Sequence, residues 1–166
     1  PVPFHMSDDD LPDFEDYSMR ERTYRFMTKK QLYPFGYGLG YAQIDITEAQ
    51  LVQQPVLGED MEIEAVLKNS SEMEGSEVVQ VYIKDLESPL AVPNYSLCAF
   101  EKICLRPGES GNVRLRISSD ALKVVDTDGS KKMDSRHFRL YVGTSQPDER
   151  SIELTGKTPV QIDIHF

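Results

Sequence analysis

The chain has 166 residues, 39% of them hydrophobic, enough for one moderate core and an arm rather than two domains. Its 28 acidic against 18 basic side chains leave a formal charge of −10, which excludes a positive field for nucleic acid or for an anionic membrane surface. No apolar run nears the roughly 20 residues that span a bilayer, and the first residues lack the basic start and apolar stretch of a signal peptide.

Nine of the fifteen Phe and Tyr residues fall within the first 41 positions, among Asp and Pro, in neither a helical nor an alternating period. These residues read as an arm. The acid-rich stretch from Asp8 to Asp16 reads as a solvated loop, because acid/base catalysis needs one carboxyl raised by burial beside one held ionised in a shaped pocket. Leu32-Tyr33-Pro34-Phe35-Gly36-Tyr37-Gly38-Leu39-Gly40-Tyr41 carries no charge at all. Its glycines open backbone angles closed to other residues, Pro34 fixes one φ, and the rings between them supply large apolar area. Such a segment is an irregular strap that must lie on a surface, and Tyr33, Phe35, Tyr37 and Tyr41 are its expected docking residues. No strand-to-helix context or Lys-Ser/Thr ending makes its glycines a phosphate loop.

From residue 42 onward, short alternating runs separated by turn residues predict an all-β, antiparallel β-sandwich. Strands are expected over Ala42–Val52, Met61–Asn69, Gly75–Asp85, Leu97–Leu105, Gly111–Ile117, Lys123–Asp126, Arg136–Gly143, Ser151–Thr155 and Val160–His165. Met61, Ile63, Ala65 and Leu67 alternate with charged neighbours, as do Val113, Leu115 and Ile117, and these sets face the core. Phe138, Leu140 and Val142 also point inward. Val79, Val81 and Ile83 are expected inward, with Gln80, Tyr82 and Lys84 outward. Asn69-Ser70-Ser71, Pro107-Gly108 and Asp128-Gly129 supply the turns.

Little of the sandwich suggests chemistry. Asp126-Thr127-Asp128-Gly129 opens like a calcium loop, but Lys131, Lys132 and Met133 stand where oxygen ligands are needed, so a hairpin turn explains it better. His5, His137 and His165 are far apart in sequence and lack zinc-site spacing. No Ser sits in a Gly-x-Ser-x-Gly elbow. Cys98 and Cys104, six positions apart on one extended run, are about 20 Å from each other and therefore free thiols. Both are expected as small buried hydrophobes, which leans towards a reducing, cytoplasmic compartment. Tyr82, Tyr95 and Tyr141 are candidate sugar-stacking or interdomain contacts, and the Glu87–Tyr95 loop is the candidate contact region of the sandwich.

Leu11-Pro12-Asp13-Phe14-Glu15-Asp16-Tyr17-Ser18-Met19, Arg22-Thr23-Tyr24-Arg25-Phe26 and Leu32 to Tyr41 resemble the linker of glycoside hydrolase family 3, the β-glucosidase and β-xylosidase family. The resemblance continues through Leu67-Lys68-Asn69-Ser70, Gly75 to Tyr82, Phe100-Glu101-Lys102-Ile103, Leu105 to Ser110 and Tyr141-Val142-Gly143. It implies a fibronectin type III-like (immunoglobulin-like) fold over 42–166, an arm over 1–41 leading from the end of an α/β sandwich domain, and Pro1 to His5 as that domain's last strand. Ala99, Val124-Val125 and Arg136-His137 depart from the family's usual Gly, aromatic and Pro-Gly, which bears on local packing. The family's catalytic residues lie upstream of the linker, so the resemblance transfers none, nor any metal or cofactor, to this chain. It implies a non-catalytic, stabilising C-terminal module whose partners are the parent's barrel and α/β sandwich domains. Two other readings stand beside it: a stand-alone carbohydrate-binding or adhesion module, and self-association through the arm.

Overall fold

The computed structural model describes residues 4–166, so Pro1, Val2 and Pro3 of the expected Pro1–His5 strand lie outside the described residues. His5 pairs with Gln31 in an isolated antiparallel bridge. Strands β1 (Ile44–Leu51), β2 (Met61–Asn69) and β5 (Ser110–Ile117) form one sheet in the order β1-β2-β5. Strands β3 (Gly75–Asp85), β4 (Ser96–Leu105), β8 (His137–Gly143) and β9 (Val160–His165) form the second in the order β4-β3-β8-β9, with every pairing antiparallel. Between β5 and β8, β6 (Val124–Val125) and β7 (Lys131–Lys132) make a two-stranded hairpin across the Asp128-Gly129 turn, where Gly129 takes a φ of 86° and Asp126 N donates to Ser130 O.

The two sheets bury the apolar sets that alternation assigns to them. Met61, Ile63, Ala65 and Leu67 of β2 and Val113, Leu115 and Ile117 of β5 meet Val79, Val81 and Ile83 of β3 and Phe138, Leu140 and Val142 of β8. Side chains two apart on a strand share a face, so each run contributes one wall of a core about 10 Å thick. The outer face of the three-stranded sheet is polar and ionic, with Glu64 paired to Arg114 at 3.2 Å and Asp60 to Arg116 at 2.8 Å. Buried Asn69 ties the β2–β3 turn to the end of β4: its Nδ2 donates to Met73 O and Leu105 O, and its Oδ1 accepts from Ser71 N and Oγ. A buried amide satisfied on both ends fixes a turn that Ser70 and Ser71 alone leave loose.

One expected strand is a helix. Residues 151–155, expected extended, lie in α1 (Glu149–Thr155), where Asp148 accepts from Ser151 N as the N-cap and Gly156 closes the end at φ 69°. A seven-residue helix between a capping Asp and a left-handed Gly is specified at its ends, and its Ile152-Glu153-Leu154 interior resembles strand alternation too closely to tell apart. The two thiols also differ from expectation: both are free, but Cys98 is half-buried and Cys104 is exposed. Cys98 is the extra residue of a β-bulge, since Val81 pairs with Ala99 while Tyr82 pairs with Leu97. Burial pushes the Cys98 thiol up to about 12. A thiol-specific reagent at pH 8 should therefore titrate Cys104 rapidly in the native chain and Cys98 only on unfolding, which timed labelling with and without denaturant checks.

Leu67 is fully buried towards the C-terminal end of β2, so Leu67→Ala should cost about 2–5 kcal/mol of unfolding free energy, whereas Arg114→Ala on the solvated face should cost under about 1 kcal/mol; urea titration of both variants compares them.

Candidate functional site

The outer face of the four-stranded sheet carries the arm. Gln80 and Tyr82 project outward from β3 as their register requires, yet both are buried, because residues 24–36 lie over them. Tyr24 stacks on Phe35 with ring centroids 4.4 Å apart and planes at 15°, and both rings stand edge-on to Tyr82, at 6.2 and 6.4 Å. Tyr95 presses on Tyr82 from the 86–95 loop at 5.8 Å, and Tyr141 on Tyr95 at 6.1 Å. Five rings thus close one apolar cluster, two supplied by the arm and three by the sandwich, in the stacked and edge-to-face arrangements favoured by ring quadrupoles. Burial raises the phenols of Tyr82 and Tyr95 far above their ordinary range, so both are neutral hydrogen-bonding groups.

An irregular strap has no ladder to satisfy its backbone, and amide side chains do so instead. Gln146 answers Phe35 in both directions: its Oε1 accepts from Phe35 N and its own N donates to Phe35 O, each at 2.9 Å. Gln80 Nε2 donates to Gly36 O at 3.0 Å and to Thr144 O at 2.8 Å, while its Oε1 accepts from Tyr82 OH at 2.6 Å. Asn94 Nδ2 donates to Tyr24 O and Met27 O at 2.9 and 2.7 Å, and Tyr24 OH accepts from Leu97 N at 2.9 Å. The Glu87–Tyr95 loop thus clasps the chain's own arm. Lys30 to Glu153 and Lys29 to Asp10 add exposed ion pairs of little energetic weight.

The four strap aromatics part company. Phe35 lies in the ring cluster; Tyr37 is half-buried and stacks on Tyr33 at 5.9 Å; Tyr33 is half-exposed and Tyr41 is 95% exposed. Further back on the arm, Phe14 and Tyr17 are 91% and 89% exposed. Of the three candidate sugar platforms, Tyr82 has no accessible face, and Tyr95 and Tyr141 meet each other at an angle of 61° rather than side by side in one plane. Sequence reasoning missed Gln80, Asn94 and Gln146, because each acts on backbone at least 44 positions away. His137 and His165, far apart in sequence, are cross-strand partners on β8 and β9 with rings stacked at 3.9 Å, a juxtaposition that spacing did not suggest. Among the described residues no group of three or more His, Cys, Asp or Glu is placed to hold a metal ion, and no helix is long and apolar enough to cross a membrane.

Three- and four-stranded antiparallel sheets in this order define a fibronectin type III-like sandwich, and residues 77–146 match the family described as the fibronectin type III-like domain. The chain is 34% identical over 152 residues to a putative β-xylosidase of Formosa agariphila, covering 89% of this chain and 19% of that protein. A xylan 1,4-β-xylosidase of Xylanibacter ruminicola is 33% identical over 155 residues, covering 93% and 18%. The solved β-glucosidase of Listeria innocua superposes on 96% of the chain and 20% of its own length, with a TM-score of 0.70 and 26% identity. A Bifidobacterium adolescentis β-glucosidase of glycoside hydrolase family 3 shares the fold with a TM-score of 0.79 at 21% identity, over 98% of this chain and 25% of its own. The chain belongs with the C-terminal portion of family 3 glycoside hydrolases, as their fibronectin type III-like domain with its preceding arm. It spans about a fifth of the length of the curated relatives it matches.

Gly36 has a φ of 79°, and a Cβ there would fall 2.1 Å from Gln80 Oε1. Gly36→Ala should therefore cost about 1–3 kcal/mol. Gly58, at φ 87° with nothing within 4 Å, is the control that carries the backbone term alone, so Gly58→Ala should cost measurably less in the same urea titration.

Proposed function

We propose that this accessory domain docks, through the outward rings of its arm, onto the catalytic domains of a family 3 parent that hydrolyses terminal β-D-glucosides or β-D-xylosides. The observation that carries the reading is the division of the arm's rings. Tyr24 is buried and Phe35 partly buried against the sandwich, while Phe14, Tyr17 and Tyr41 stand about nine-tenths exposed on the same arm. Rings of this size left in water on either side of a segment pinned by three amide side chains are the anchors of a second contact. The relatives agree in kind, since in each the matching segment is one part of a much longer chain, and their names are those of β-xylosidases and β-glucosidases.

The arm's carboxylates do not supply the parent's chemistry. Glycoside hydrolysis places two carboxyls on either side of the scissile bond, one raised and one ionised, within a site that excludes water. Asp8, Asp9, Asp13 and Glu15 lie exposed along the surface. Asp16, held low by the backbone N–H of Ser18, is a fixed anion with no proton to donate near neutrality. The role left to the domain is to hold the parent's other domains in register.

The isolated chain should give no turnover of aryl β-glucosides or β-xylosides. In the parent polypeptide, the triple change Phe14→Ser, Tyr17→Ser, Tyr41→Ser should lower the unfolding midpoint by several degrees, read by calorimetry, while leaving that of the isolated chain unmoved. An unaltered parent midpoint, or a concentration-dependent dimer of the isolated chain that the same changes abolish, would turn the reading to self-association.

A further inference from the structure

The β8–β9 register brings together two histidines that the sequence keeps 28 positions apart. Phe138, Leu140 and Val142 of β8 and Ile164 of β9 turn into the core, so His137 and His165, directly opposed and one position along, project outward. They stand four residues along β8 from Tyr141, roughly 13 Å from the ring cluster that holds the arm. Across the same two strands Phe166 N donates to Arg136 O at 3.0 Å, which makes 136 and 166 a hydrogen-bonded pair and the next pair, His137 and His165, a non-hydrogen-bonded one. Positions of that kind bring opposed Cα atoms to about 4.5 Å, the closest approach of side chains in an antiparallel ladder. The imidazole centroids accordingly lie 3.9 Å apart.

That spacing suits a shared metal ion. A first-row dication sits about 2.0–2.1 Å from an imidazole nitrogen, so two nitrogens bound side by side on one ion are roughly 3–3.5 Å apart. Imidazole turns about its Cβ–Cγ bond within a broad, two-fold well, and this rotation swings the lone pairs of stacked rings towards a common point. His165 is exposed and gives an ion access from solvent. His137 Nε2 is buried with no hydrogen-bond partner among the described residues, and a ring nitrogen kept from water in this way recovers its lost partner by ligation.

Two carboxylates flank the rings. Asp163, two residues from His165 on the same face, is held low first by its hydrogen bonds to Arg139 and further by both imidazoles. Glu87 is held low first by Arg136 N, which donates to it at 2.9 Å, and also by the nearby His137. Both are anions at neutral pH, and the Arg139 charge is matched by Asp163. Among the described residues no third His, Cys, Asp or Glu is placed to ligate with the pair, so the two rings are the protein ligands and water completes the shell.

We propose that His137 and His165 form a two-imidazole site for a first-row transition dication of the Zn²⁺ kind, which staples β9 to β8. Imidazole nitrogens suit zinc, copper and nickel, whereas magnesium and calcium seek oxygen. β9 is an edge strand with β8 as its one neighbour in the sheet, so a bond across 137 and 165 fastens the strand that ends the chain. The site stands apart from the docking reading and does not depend on it.

Calorimetric titration of the chain with zinc chloride should show a single bound ion. At roughly a hundredfold excess of free Zn²⁺ over the dissociation constant, the unfolding midpoint should rise by about 5 °C. His137→Gln and His165→Gln should each remove both effects, while His5→Gln and Cys104→Ser keep them and Mg²⁺ in place of Zn²⁺ gives neither. If the half-buried His137→Gln fails to fold, the exposed His165→Gln decides. Absence of Zn²⁺ uptake would overturn the proposal. Uptake that survives His165→Gln, or an equal response to Mg²⁺, would overturn it too, by placing the ion on the thiol or on carboxylates.

Discussion

The structure depends on the sealing of one sheet face by a strap that has no secondary structure of its own. A three-on-four sandwich buries the inward side of each sheet and leaves two outer faces to water. Here Tyr82 sits at the middle of an outer face, and the stack of Tyr24 on Phe35 covers it. That contact makes β3 a strand buried on both sides over Val79–Ile83. Without the strap, a phenol ring and an amide would face solvent at the centre of the sheet. With it, the sheet gains a third layer whose cohesion comes from ring packing and whose position comes from Gln80, Asn94 and Gln146.

The division between rings and amides has a physical basis. Rings contribute area and little directional precision, so a strap held by them alone slides. Amides satisfy backbone groups at fixed distances and cost free energy when their partners are missing, so they set the register. Gln146 does for Phe35 what a neighbouring strand does in a ladder, one donor and one acceptor on the same residue. The glycine at 36 is required where the backbone turns to a φ of 79° directly over Gln80.

What could be read from residues alone follows from the same physics. Met61–Asn69, Gly75–Asp85 and Val160–His165 have the bounds their alternation gives them, because each has one face toward a core and one away from it. The direction of Gln80 and Tyr82 was legible for that reason, and their burial was not: periodicity tells which way a side chain points and is silent about what lies on top. Helix α1 escaped because its specification sits in Asp148 and Gly156 rather than in its short interior. The stacking of His137 on His165, 28 residues on, is a product of the β8–β9 register and has no local trace. The arm was recognisable from its composition, whereas which of its rings turn inward is decided by amides more than 40 positions away.

The charged ladder on the β1-β2-β5 sheet has a consequence for orientation. Turning the domain half a revolution about its strands would press Glu64, Arg114, Asp60 and Arg116 against whatever the strap otherwise meets. Stripping water from such ions carries a desolvation penalty that their pairing repays only in part. The module is therefore handed like a tile glazed on one surface: only one of its two broad sides tolerates being dried, and that intolerance of the other excludes mirror-wise seating without any clash of shape.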